Sequence, residues 1–191
     1  MQKLRLFWAV NLPADLKSRL FGIVSRLKAA GADAKWVEEG NLHVTVKFLG
    51  EADPALIPRI TEAVKGSLIG FDKFRLDMKE MGFFPGVARP RVLWAGFGGE
   101  ITALKNTARA VDDSMGDLGF PREGRVFTPH ITLARIKSPL NIGDLTRAVA
   151  MESPGINKMG GFDVCSIDLM SSMLTRSGPV YSLISSVKLG E

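Results

Sequence analysis

Cysteine is nearly missing from this chain: Cys165 stands alone among 191 residues. One thiol can form neither an intrachain disulfide nor a thiolate metal cluster, which favours a reducing, cytoplasmic setting. Within "FDVCSIDL" its expected part is that of a small buried hydrophobe. No apolar run approaches the roughly 18 residues that a membrane helix needs. The opening "MQKLRLFWAV" carries Lys3 and Arg5 ahead of Leu6 to Val10, in the manner of a signal sequence. Asn11, Pro13 and Asp15 break it where such a segment would continue, so a first β-strand is expected instead. There is no Lys/Arg block, acidic tail, low-complexity tract or long linker. A single domain over 1–191 is therefore expected, with no exposed heptad that would demand an oligomer.

Excess charge is also scarce. The 25 Lys and Arg exceed the 20 Asp and Glu by a net +5, a surplus that suits a polyanionic partner without specifying one. A hydrophobic content of 46% excludes a disordered chain. The apolar pattern predicts strands at 3–10, 42–50, 71–78, 92–98, 130–136, 162–170 and 181–189. Helices are predicted from Pro13 to Gly31, Pro54 to Leu68, Ile101 to Leu118 and Ile142 to Ala150, with a Gly/Pro-rich loop at 81–91. This order lacks the regular alternation of a parallel doubly wound sheet and predicts an α+β fold. Each half of the chain offers a helix, a loop and a histidine strand, which points to two pseudo-symmetric lobes facing each other.

Histidine is the informative scarcity. The chain has two, His43 in "NLHVTVKFLG" and His130 in "TPHITLARI", and each is followed at the second position by threonine. On a strand, positions i and i+2 share a face about 7 Å apart. His43 and Thr45 thus stand together, as do His130 and Thr132. Val44, Val46, Ile131 and Leu133 anchor the opposite faces. Two imidazoles, one neutral and one protonated near neutral pH, can take a proton from water and give one to a leaving oxygen. Threonine hydroxyls can donate to the non-bridging oxygens of a phosphate. A lone histidine in an apolar strand is ordinarily structural; the repeated pattern is what points to chemistry. Two histidines without cysteine or a carboxylate at ligand spacing leave a zinc site incomplete, and no G-x-S-x-G elbow is present.

The paired "HVTV" and "HITL" resemble the two H-x-T-x motifs of the two-histidine phosphoesterase superfamily. Together with "RLFWAVNLP", "WVEEGNLHVTVKFLGE", "FPGVARPRVLWAG", "FTPHITLARI" and "SSMLTRSGPVYSLI", they resemble the RNA 2′,3′-cyclic phosphodiesterases, also called 2′-5′ RNA ligases. The resemblance implies a bilobal α+β fold, two antiparallel sheets lining a central cleft with helices outside. It implies metal-independent, cofactor-free hydrolysis of RNA 3′ ends carrying a 2′,3′-cyclic phosphate, with small cyclic nucleotides as an alternative substrate. His43 would be the general acid and His130 the general base. The residues alone do not say which does which. A binding module without catalysis is the rival from another class.

Of the remaining residues, Lys47 shares the strand parity of His43 and is expected at the cleft rim. Parity sends Arg135 away from His130 unless a bulge re-aims it, although the resemblance makes it a phosphate or base contact. Phe7 and Phe127 are candidate stacking platforms for a base, whereas Phe48, with the parity of Val44, is expected in the core. Arg89, Arg91, Arg122 and Arg125 lie in predicted loops and could steer an anion.

Overall fold

The computed structural model describes residues 3–176 and 178–190. Nine strands and four helices follow one another as β1 (Leu4–Asn11), α1 (Ala14–Lys28), β2 (Ala34–Trp36), β3 (His43–Ala52), α2 (Ile57–Ser67), β4 (Phe74–Phe84), β5 (Val92–Gly99), α3 (Ile101–Asp117), β6 (Ile131–Ile136), α4 (Ile142–Ile156), β7 (Gly161–Val164), β8 (Ser166–Thr175) and β9 (Gly178–Lys188). Every pairing is antiparallel, and the strands run in the order β7-β4-β5-β6-β3-β1-β8-β9, with β2 added to β6. The expected α+β architecture is present. Among the described residues the two antiparallel groups pair through Val44 and Ile131 alone.

The helices form for the reason their periodicity gives. In α1, Leu16, Leu20, Ile23, Val24 and Leu27 make one buried stripe, and Asp15 complements the positive end of the helix dipole. In α3 the stripe is Leu104, Ala108, Val111 and Met115. These stripes join strand residues such as Leu6, Trp8, Val44, Leu93, Ile131 and Ile167 in one large core, all on one face of the sheet. On the opposite face, among the described residues, Phe7, Ala9 and Met170 form a small buried cluster with Tyr181 packed against it. The helix-free face is the one that can receive a ligand.

The elements differ from the sequence pattern in several places: β2 has no counterpart in it, β8 runs on to Thr175 and β9 begins at Gly178. β4 runs to Phe84, into the predicted loop, because its ladder with β5 continues to the pair Phe84–Val92. α4 extends to Ile156, with Pro154 inside its last turn. The stretch 162–170 is two strands: β7 pairs with β4 at one edge, while β8 pairs with β1 in the other group. Cys165 sits at that break and is exposed, correcting the expectation that it is buried. Among the described residues no helix is long and apolar enough to cross a membrane.

Candidate active site

β3 and β6 are neighbours at the seam between the two groups; His43 opens β3, and His130 immediately precedes β6, one residue short of the expected strand start. Continuing the Val44–Ile131 register by one residue in each direction sets His43 across from Thr132, and His130 across from Thr45. The two imidazoles then fall on one diagonal of this register and the two threonines on the other.

The two rings are held in the same way. Nδ1 of His43 lies 2.7 Å from the carbonyl of Asn41, and Nδ1 of His130 lies 2.7 Å from the carbonyl of Thr128. A carbonyl only accepts, so each Nδ1 carries the proton and each Nε2 is left to do chemistry. Nε2 of His43 meets the hydroxyl of Thr45 at 3.0 Å. Aromatic rings wall both imidazoles. His43 lies 5.0 Å from Phe7 and edge-on to Tyr181 at 5.2 Å. His130 is edge-on to Phe84 at 5.1 Å, and Phe84 stacks on Trp94 at 4.9 Å. Gly82 and Gly96 make space for that indole, since a Cβ at either would fall within 3 Å of its ring atoms.

The electrostatics differ between the two halves. Burial holds the His43 imidazole below the ordinary histidine range; the charges of Lys17 and His130 add to this, and the hydrogen bond to Asn41 opposes it. His130 is thus within electrostatic reach of His43. Burial raises the Tyr181 phenol, against the charges of Arg135 and Arg5, so its hydroxyl stays protonated at neutral pH. Asn11, paired with His43 in the ladder, donates at 2.8 Å to the buried carboxylate of Asp168, which also accepts from Ser166 and Ser186.

A shared irregularity explains where the other predicted residues go. In β3 the pairing with β1 skips Val46, and in β6 the pairing with β5 skips Leu133. Each is a β-bulge at the third residue after the histidine, and each reverses the alternation of faces beyond it. Lys47 therefore points into the helix-side core, 5% exposed, and not to the cleft rim. Phe48 takes the cleft face at 64% exposure, 6.0 Å from Phe7, and not a place in the core. Arg135 is turned onto the face of His130 and Thr132, exposed and close enough to Tyr181 to act on its charge.

Phe7 is 3% exposed, so it forms the floor beneath His43 and offers no free face for stacking. Phe127 packs against the helix-side core and anchors the loop ahead of His130. Arg122 is engaged by Asp113 and Asp117 on α3 and is not available to steer an anion. Arg89, Arg91 and Arg125 are exposed. Tyr181, Phe84, Trp94, Asn11 and Asp168 had no assigned part in the sequence reading. Tyr181 lies within a quoted flank, but nothing in its local pattern says that β9 curls back to His43. Among the described residues no group of three or more His, Cys, Asp or Glu could hold a metal ion.

Comparison with known proteins shows the family. A family model described as LigT like Phosphoesterase matches residues 10–94 and 99–181, segments that each contain one H-x-T-x motif. The chain is 35% identical over 170 residues to the RNA 2′,3′-cyclic phosphodiesterase of Aeropyrum pernix, covering 89% of this chain and 94% of that one. It is 33% identical over 180 residues to the enzyme of the same name from Methanothermobacter thermautotrophicus, covering 94% and 96%. The solved structure of E. coli LigT complexed with NADP+ has a TM-score of 0.79 at 25% identity over 100% of both chains. The family model spans both motif strands and the relatives match nearly end to end, so this chain belongs to the LigT-like phosphoesterases.

Proposed function

We propose that this chain hydrolyses the terminal 2′,3′-cyclic phosphate of RNA to a 2′-phosphomonoester, using its two histidines and no metal. The observation that carries the reading is the matched pair of imidazoles, each with Nδ1 fixed by a backbone carbonyl at 2.7 Å. Nε2 of His130 takes a proton from water as that water's oxygen bonds to phosphorus. The bond from phosphorus to the 3′ oxygen breaks, and Nε2 of His43 gives that oxygen its proton. The hydroxyls of Thr45 and Thr132 donate to the non-bridging oxygens as charge grows on them. Phe48 offers an exposed face to the terminal base, and Arg135 a guanidinium to its phosphate or base. With a 5′ hydroxyl in place of water, the same steps form a 2′-5′ phosphodiester as the bond from phosphorus to the 3′ oxygen breaks. RNA as substrate and a lone exposed cysteine fit a reducing cytoplasm.

The test is incubation with an oligonucleotide ending in a 2′,3′-cyclic phosphate, with and without EDTA. The expected product is the 2′-phosphomonoester at an unchanged rate under chelation. A 3′-phosphate product would exclude this bond cleavage, and loss of activity restored by a divalent ion would exclude the metal-free route. Equal turnover of a cyclic mononucleotide would shift the substrate to small cyclic nucleotides.

The pH dependence follows from the burial of His43. One imidazole must be charged and the other neutral, so the rate is bell-shaped and its optimum lies midway between the two apparent pKa values. In the free enzyme burial lowers one of them and draws the optimum of kcat/KM to the acid side. A bound phosphate anion favours both charged rings, so the optimum of kcat lies at higher pH than that of kcat/KM. Coincident optima, or the reverse order, would contradict it.

A further inference from the structure

Lys47 is a buried cation on the strand that carries His43, and the acid–base scheme makes no use of it. Its Nζ lies 2.5 Å from the Oδ1 of Asp112 on α3 and 2.5 Å from the carbonyl of Pro121. Pro121 belongs to the segment that leads from α3 to His130. The same Asp112 carboxylate accepts the backbone N–H of Glu123 at 3.0 Å, and Arg122 is bound to Asp113 and Asp117. Phe127 pins the next stretch to the core, and the carbonyl of Thr128 then holds the His130 ring. A continuous series of contacts runs from the His43 strand through Lys47 to the segment that aims His130.

This link crosses the seam where the backbone has its weakest tie, the single pair Val44–Ile131. A long flexible stem ending in three donors can grip acceptors on two different elements, which no apolar side chain can do. The fold does not need a lysine here for packing. Ala134 fills the corresponding place after the bulge in β6 and is fully buried. Nor does stability call for one, because a buried ion pair contributes no more than a well-packed apolar residue of similar size. Resting on the function proposed above, we propose that Lys47, held by Asp112, is a positioning residue that fixes the spacing of the two catalytic imidazoles.

Lys47→Met keeps the length of the stem and removes the grip. In steady-state hydrolysis of the cyclic-phosphate oligonucleotide it is expected to lower kcat by about 10- to 100-fold, the cost of a misplacement near 1 Å. KM is expected to stay within about twofold, because the residues that face the substrate are untouched. A purely structural lysine would lower the melting temperature and leave kcat of the folded enzyme as it was; that result overturns the proposal. If Lys47→Met does not fold, Asp112→Asn, which keeps the acceptor and removes the charge, is judged by the same split between kcat and KM. If the unaltered protein has no phosphodiesterase activity, the functional reading falls separately. The strut is then judged by 15N titration of His43 with and without His130→Ala: the influence of His130 on His43 changes in Lys47→Met if Lys47 sets their spacing, and is unaltered if it does not.

Discussion

His43→Ala and His130→Ala each lower the turnover of a cyclic-phosphate RNA end by about 10³-fold, with the fold preserved. General acid or base catalysis by a placed side chain contributes about 10²- to 10⁴-fold, so the middle of that range corresponds to about 4 kcal/mol of barrier. Neither ring belongs to the helix-side core: His43 packs on Phe7 and Tyr181, His130 on Phe84, and each is tied through Nδ1 to the carbonyl two positions before it. Removing either therefore costs chemistry far more than stability. The two act on one proton-transfer cycle, so the double variant is expected to be scarcely slower than the worse single one. Steady-state rates on the oligonucleotide, with far-UV circular dichroism as the folding control, decide the matter. Variants retaining activity within about fivefold of the unaltered protein would remove the histidines from the mechanism. A binding module predicts no rate to lose, with affinity instead following the exposed arginines and the salt concentration.

The limits of the sequence reading are sharpest in the few residues that follow each histidine. Alternation places His43 with Thr45 and His130 with Thr132 correctly, because the ladder is regular up to the threonine. One residue later the bulges at Val46 and Leu133 add a position that no strand pattern announces. From there parity gives the wrong face for Lys47, Phe48 and Arg135. The sequence holds a trace of this: two consecutive buried positions, Val46–Lys47 and Leu133–Ala134, precede an exposed one in both strands. In the second motif they read as an apolar pair. In the first the pair is hidden, because its second member is a lysine whose charge is met by α3, remote in sequence.

The aromatic walls were beyond local reading for another reason. Phe84 lies in a Gly/Pro-rich stretch whose composition signals a loop, yet long-range pairing with Val92 makes it strand and carries it to His130. Tyr181 reaches His43 because the start of β9 is drawn to the first motif, where Asn41 donates at 2.8 Å to the carbonyl of Pro179. Cys165 was misread because a strand-like stretch with no turn signal, Phe162 to Met170, concealed a crossing from one strand group to the other. Local pattern placed each histidine beside its threonine; register, bulges and long-range pairing decide what surrounds them.

Asp112→Ala is the substitution outside the cleft with the largest expected cost. It leaves the Lys47 ammonium, whose side chain is 4% exposed, with only the Pro121 carbonyl, and it deprives the Glu123 N–H of its acceptor. Breaking a buried pair from one side costs about 3–5 kcal/mol, and the partial exposure of Asp112 argues for the lower figure. For a chain of this length about 3 kcal/mol corresponds to a fall in Tm of about 6–12 °C. Lys47→Met costs less, because the stranded carboxylate can reach water whereas the stranded ammonium cannot. The pH dependence has a definite sign. Burial pushes the Asp112 carboxyl up, but Lys47, the Glu123 N–H and Arg122 together outweigh it and hold it below its ordinary value. A carboxyl depressed in the folded state stabilises above its unfolded pKa, near 4, and that contribution fades as pH falls through the folded value. Melting curves of the unaltered protein and Asp112→Ala are therefore expected to lie furthest apart near neutrality and to converge below about pH 4. Equal losses for the two single variants, or a gap that persists in acid, would mean that the pair does not bear the load placed on it here.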